Sequence, residues 1–415
     1  MPNPITDIIA KKGWCVADGA TGSNFFGRGL EAGYPPDLWC VEKPEEVLWL
    51  HGAFLEAGAD IILANSFGAN APRLKLHKAE HRVAELNAAA AQLAREATRQ
   101  HFEDTGRKAV VAGSMGPTGE LFEPMGTLTH TDTVAYFAEQ AQALAEGGAE
   151  VIWIETMSSL EEVAAAAEAA RATGLPVCAT LTFDTARRSM MGVTPADYAR
   201  FAAEIGLDMA GANCGVGPAE LMDSTQGMIA AGIEIPVVAK GNCGIPQYVD
   251  GAIHFHGSPE LMAQYALYAR DAGATIIGGC CGTTPEHVKA MVSALDTTPR
   301  GALDIEAMTA ALGIPWSALV ETQANGGGEK RHRGGDAVRG AGGGHVHERP
   351  RRLLHVNGWG HCASDRAIPG HSCRCRCHRA GAASCRSRTT SLRDRLSSAV
   401  RDGCSCGARS ARPGN

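Results

Sequence analysis

Two adjacent cysteines, Cys280 and Cys281, lie between the runs IIGG and GTTPEH, and a third, Cys214, closes the run GANCG. Three thiolates converging on one point make a set of soft anionic donors that suits zinc. With the fourth tetrahedral position left to a substrate, the arrangement is catalytic and not merely structural. Neighbouring side chains of a strand point to opposite faces, so Cys280 and Cys281 reach one atom only where the strand has ended and the chain turns. The glycines on either side permit that turn. By residue type alone a cysteine is more often a small packed hydrophobe, and Cys15, Cys40 and Cys178 are read that way. Cys243, in KGNCGI, also ends a strand, so spacing alone leaves a fourth ligand open. A disulfide between Cys280 and Cys281 is disfavoured, because vicinal bridges are strained and cytosolic thiols stay reduced.

The elements that must position these residues alternate. Apolar or β-branched runs at 14–18, 60–67, 109–114, 151–155, 176–183, 209–213, 236–240 and 275–279 predict eight strands. Helical stretches at 44–57, 79–99, 131–146, 160–172, 195–205, 218–231, 259–272 and 285–295 follow them in turn. Thr194-Pro195, Ser258-Pro259 and Thr284-Pro285 are good helix starts. Eight such units fit the (β/α)8, or TIM, barrel of the α/β class, which typically takes about 250 residues. An open doubly wound sheet would more often carry one glycine-rich turn after its first strand. Here unusual sequence follows nearly every strand: DGATGS, ANSFGAN, GSMGPTGE, ETMSS, GANCGVG, KGNCGI and GGCCGTT. A barrel gathers all of these ends on one face, where the pocket is expected.

With 45% hydrophobic, 20% charged and 5% aromatic residues, the chain has a globular composition. No window approaches the roughly 18 apolar residues of a membrane span, and the start lacks a basic segment leading into an apolar run, so a cytoplasmic protein without membrane contact is expected. The barrel is assigned to residues 1–320. Residues 321–415 differ: 17 Arg and 1 Lys stand against 7 acidic residues, for a net +11, with 7 of the 14 Cys and 16 of the 50 Gly. This low-complexity tail cannot build a core and is expected to be disordered. Two readings compete for it. One is a polyanion-binding tail. The other, preferred here, is an out-of-frame extension of a G/C-rich coding sequence, which gives Arg without Lys; nucleic acid is therefore not expected as a partner.

DGATGS at 18–23, SMGPTGE at 114–120, GANCG at 211–215 and GGCCGTTPEH at 278–287 together resemble the homocysteine S-methyltransferases, most closely the bacterial members labelled betaine–homocysteine methyltransferases. The resemblance runs from about Ile5 to about Asp296. It implies a barrel carrying Zn2+, with Cys214, Cys280 and Cys281 at the metal-ligand positions. It also implies methyl transfer to homocysteine, giving methionine. By the same resemblance Glu155 meets the substrate ammonium group, while the turn of Asp18, Gly19 and Ala20 offers a carboxylate and backbone amides; Asp18 and Glu155 are thus the catalytic candidates. Asn213, beside a ligand, is placed as a hydrogen-bonding support for the metal site and substrate.

Physical chemistry agrees with these implications. A free thiol, with a pKa near 8.5, is mostly protonated at neutral pH, and only its thiolate is a good nucleophile. Coordination to zinc removes the proton. Substrate then needs the fourth position, which argues against Cys243 as a ligand. A carboxylate such as Glu155 after an apolar strand is costly unless it meets a cation. A quaternary ammonium donor such as betaine is best held by aromatic faces; the resemblance implies that the cage positions of the animal betaine enzymes, after the second strand and just after Glu155, fall here on Gly68 and Thr156, leaving Tyr34, Trp39 and Phe67 as the aromatic candidates. S-methylmethionine, other sulfonium donors and a methyl-corrinoid protein partner, as in a split cobalamin-dependent methionine synthase, stay open, as does assembly into a homo-oligomer.

Overall fold

Runs that are apolar on both faces become strands covered on both sides. The computed structural model describes residues 3–315 except Thr185, Pro246, Asp250 and Gly251, so the expectations for 321–415 lie outside the described residues. Eight strands, β1 (Cys15–Val16), β2 (Ile61–Leu63), β3 (Val110–Met115), β4 (Val151–Met157), β5 (Val177–Leu181), β6 (Met209–Cys214), β7 (Val237–Gly241) and β8 (Ile276–Gly279), fall within or beside the predicted runs. They pair in parallel in the order β1-β8-β7-β6-β5-β4-β3-β2. A parallel bridge from Ala17 to Ile61 brings β1 onto β2 and completes the barrel. The fold is a (β/α)8 barrel.

One apolar cluster fills the barrel interior and includes Cys15, Leu63, Val110, Trp153, Cys178 and Met209. Another lies between the strands and the surrounding helices. Cys15 and Cys178 are thus packed thiols, and buried Cys40 donates to the Asn65 carbonyl at 3.2 Å. The helices start where the sequence signals them: Thr194 caps Pro195–Glu204, Ser258 caps Pro259–Ala272, and Thr284 forms a reciprocal cap with His287 at the head of Pro285–Thr297. The helix expected over 79–99 instead runs Val83–Thr105, since nothing stops it before Gly106 at φ 73°.

Several elements escaped the sequence reading, among them the short helices Gly22–Phe26, Trp39–Glu42 and Ala71–Lys75. Helix Pro4–Lys12, capped by Asn3, buries Ile5 in the interior cluster, and Asn3 Nδ2 approaches Met209 Sδ at the start of β6. It therefore plugs the end of the barrel opposite the strand C-termini. Helix Ile305–Leu312 packs on Pro259–Ala272, and a hairpin, Gln247–Val249 with Ala252–His254, follows β7. Among the described residues no helix is long and apolar enough to cross a membrane.

Candidate metal centre

Side chains alternate along a strand, so the interior positions Ala112, Trp153, Val238 and Ile276 set the inward direction for those that follow. Ser114, Glu155, Lys240 and Cys280 continue this inward sequence toward the C-terminal mouth. Their layer is polar where the layers beneath are apolar.

Cys214 ends β6 and Cys280 follows β8, with β7 between them, so their backbones start about 10 Å apart. Both loops turn to close that gap. Cys214 has φ 65° and is followed by Gly215 at φ 75°. A non-glycine residue in this region is strained by about 1 kcal/mol or more, and such residues persist where the surroundings over-determine them. Here Asn242 Nδ2 donates to the Gly215 carbonyl at 2.6 Å. After β8, Thr283 N–H donates to the Cys280 carbonyl at 3.1 Å, a tight turn with Gly282 (φ 77°) at its third position. Any side chain at Gly282 would also strike Phe255, its Cβ falling 2.4 Å from that ring. This turn brings two consecutive cysteines to one side of the chain.

The three sulfurs converge: one ligand atom from each of Cys214, Cys280 and Cys281 lies within 4.8 Å of the others, and Cys214 Sγ stands 3.9 Å from Cys281 Sγ. Among bare thiols, hydrogen bonds from Cys214 and Cys281 draw Cys280 well below the usual thiol range, and the bond to Cys280 holds Cys214 well above it. Three negative sulfurs this close require a cation between them. The donor set and its spacing therefore fit a thiophilic divalent ion. Cys243 lies outside the cluster; its thiol meets the Gly257 carbonyl at 3.0 Å and His287 Nε2 at 3.0 Å.

Asn213 is fully buried and held on both ends. Its Oδ1 accepts from Thr156 N–H (2.9 Å) and the Thr180 hydroxyl (2.7 Å), while Nδ2 donates to Thr156 Oγ1 (2.7 Å) and approaches Cys280 Sγ at 3.7 Å. Thr156 takes φ 62° to make this contact. Asn242 Oδ1 accepts from Cys281 N–H at 3.0 Å. Replacing Asn213 with alanine is expected to weaken metal binding about 10- to 100-fold, as measured by competition with a chromophoric chelator.

Beside the sulfurs lies a buried charged cluster. Ser114 donates to Glu155 Oε1 at 2.5 Å, Lys240 Nζ donates to Asp18 Oδ1 at 3.0 Å, and Leu63 N–H donates to Asp18 Oδ2 at 2.8 Å. Burial pushes Glu155 up to about 7 against the pull of Lys240, and raises Asp18 against the same ammonium and the Leu63 amide. Burial works against the Lys240 charge, but Asp18 and then Glu155 outweigh it and keep that pKa above the ordinary value. Gly19 is required by close approach: a Cβ there would fall 2.7 Å from the Thr283 carbonyl and 2.9 Å from the Phe54 ring. Ala20 N–H donates to the Thr283 carbonyl at 3.1 Å, tying the turn after β1 to the loop after β8.

Lys240, Ser114, Thr180 and Asn242 were not singled out from sequence. The signal for Lys240 was a charged residue at an inward position of the apolar run PVVAKG. Of the aromatic candidates, Trp39 is buried against Phe25 at 4.9 Å between ring centroids, and Tyr34 donates to Glu42 at 2.6 Å. Phe67 covers Gly116, whose Cβ would lie 2.5 Å from the ring. Gly68 N–H donates to buried Asp37 at 2.9 Å.

Residues 15–295 match the sequence profile of the family described as homocysteine S-methyltransferase. The chain belongs to that family. As a member it is a methyltransferase enzyme. The methionine synthase of Mycobacterium tuberculosis (strain ATCC 25618 / H37Rv) is 29% identical in an alignment of 314 positions that covers 71% of this chain and 26% of that protein. The methionine synthase of Mycobacterium leprae (strain TN) is 28% identical in an alignment of 309 positions that covers 69% of this chain and 25% of that protein. The chain thus spans about a quarter of the length of these curated relatives. Among solved structures, the homocysteine methyltransferase MmuM from Escherichia coli in its metallated form superposes with a TM-score of 0.61 at 23% identity, over 70% of this chain and 99% of that one. Its oxidized form gives 0.60 at 24% identity, over 70% and 99%. These likenesses show the same barrel fold.

Proposed function

We propose that this homocysteine S-methyltransferase family member is a zinc-dependent enzyme that transfers a methyl group to the sulfur of homocysteine, forming methionine. The observation that carries the reading is the three cysteine sulfurs within 4.8 Å of one another at the barrel mouth, beside a buried pair of carboxylates. Cys214, Cys280 and Cys281 would hold the ion. Zn2+ held there would supply Lewis acidity that lowers the pKa of a substrate thiol. The chain's own residues do the rest. Glu155 and Asp18 accept hydrogen bonds from the substrate ammonium group, fixing the sulfur relative to the three cysteines. Asn213 orients Cys280, and the Asn242 side-chain oxygen Oδ1 fixes the Cys281 backbone N–H. A metallated form of MmuM supports metal dependence in the family.

Betaine is the first donor to test. A second reading is favoured by one observation: the curated methionine synthases match this chain over only a quarter of their length. In that reading the barrel is the homocysteine-activating part of a split methionine synthase and needs a methyl-corrinoid protein. Gly68 and Thr156, where the resemblance places the aromatic cage of the betaine enzymes, carry no ring themselves, which favours a donor other than betaine. The test is metal analysis of the full chain, then methionine formation from homocysteine with betaine, dimethylsulfonium compounds, S-methylmethionine or methylcobalamin. Methionine from betaine supports the first reading. No turnover until a methyl-corrinoid protein is added supports the second, and a chain that takes up no zinc and forms no methionine with any donor overturns both.

A further inference from the structure

We infer that Lys240 is a positioning residue for the amino-acid end of the site, acting by clamping the Asp18 carboxylate that receives the substrate ammonium group. This rests on the proposed homocysteine reading. Asp18 follows β1, where its carboxylate could take several rotamers. It is instead gripped from two sides, by the β2 backbone through Leu63 N–H at 2.8 Å and by Lys240 Nζ of β7 at 3.0 Å. To reach it Lys240 must cross β8, which lies between β1 and β7. Gly278 of β8, paired with Lys240, makes the crossing possible: a Cβ there would sit 3.1 Å from Lys240 Cγ. The ammonium rests above the Trp153 ring, 5.7 Å from its centroid, and the residue is 2% exposed.

Folding alone does not explain this lysine. Buried ion pairs contribute little or nothing to stability relative to apolar side chains of similar volume, and the inward neighbour two residues back, Val238, is apolar. What the pair provides is a carboxylate of fixed direction beside Glu155.

The experiment uses the full zinc-loaded chain and its Lys240→Met variant, with metal content and thermal melting measured for both. Homocysteine is the substrate, and two fragments serve as competitive inhibitors. One is 3-mercaptopropan-1-amine, which keeps the ammonium and lacks the carboxylate; the other is 4-mercaptobutanoate, which keeps the carboxylate and lacks the ammonium. Lys240→Met is expected to raise KM for homocysteine and the inhibition constant of the amine at least tenfold, leaving kcat within about threefold and the constant for 4-mercaptobutanoate unchanged. Because Lys240 acts chiefly through Asp18, with a weaker pull on Glu155, adding Lys240→Met to Asp18→Asn should change KM by much less than Lys240→Met does in the wild-type chain. If Lys240→Met does not fold, Lys240→Gln, which keeps an N–H donor of shorter reach, should show the same pattern. Equal losses with both fragments, or full additivity with Asp18→Asn, would overturn the inference. A wild-type chain inactive with homocysteine under every donor would instead sink the functional reading beneath it.

Discussion

Cys281→Ser is expected to strip the chain of its metal and abolish methyl transfer. Serine is nearly isosteric with cysteine, but its hydroxyl stays protonated at neutral pH and its oxygen is a harder donor than a thiolate. Structural zinc binding by four ligands amounts to roughly 10–16 kcal/mol, so one lost thiolate weakens the site by roughly 3 kcal/mol or more, about a hundred- to a thousandfold in affinity. The turn itself should survive, because Thr283 N–H bonds the carbonyl of Cys280 and not a sulfur. Metal analysis should give less than about a tenth of the wild-type zinc after dialysis against a weak chelator, with methionine formation at background. Cys243→Ser is the control: that thiol is engaged by Gly257 and His287, so zinc content should be unchanged. Full zinc and full activity in Cys281→Ser would remove the three-sulfur site from the mechanism.

Glu155→Gln should do two opposite things. Burial raises the Glu155 carboxyl from the ordinary 4.5 to about 7. Between those values the folded chain holds a proton that the unfolded chain has released, so this group makes stability fall as pH rises through that window, and above it the whole loss is present. The loss is at most about 3 kcal/mol, and less in practice, because the variant also deprives Lys240 of its second counter-charge. At pH 8, metal-free Glu155→Gln should melt several degrees above wild type, with the gap closing toward pH 5. Glutamine keeps an oxygen to accept the Ser114 hydroxyl but loses the charge that meets the substrate ammonium. Removing one side of a buried charged contact costs about 2–5 kcal/mol, so kcat/KM for homocysteine should fall at least thirtyfold, mostly in KM. A variant neither stabilised nor impaired would mean that the Glu155 charge neither costs stability nor meets the substrate.

Residues whose role depends on nearest neighbours in the chain were legible. The run IIGG followed by CCGTT announces a strand that ends and turns, and the turn with Gly282 at its third position is that announcement in three dimensions. Glu155 stood out because a carboxylate beside IWI has no apolar use. Lys240 was as anomalous in PVVAKG, yet the sequence does not show that its partner is 222 positions away. The N-terminal helix was missed for a similar reason: PITDIIAKK is a weak helix by itself, and the buried environment of Ile5 comes from strands dispersed through the chain.

The sequence by itself determined the eight β/α units, their caps and turns, and the set of cysteines at strand ends, since period, capping and turn geometry act over a few residues. Only the tertiary structure decided which of those cysteines meet, that Asn213 is held by Thr156 and Thr180, that Gly278 opens a path for Lys240, and that Ala20 N–H donates to Thr283. These depend on strand order and register around a closed barrel, where residues far apart in the chain become neighbours and a shift of one residue would turn each inward side chain outward.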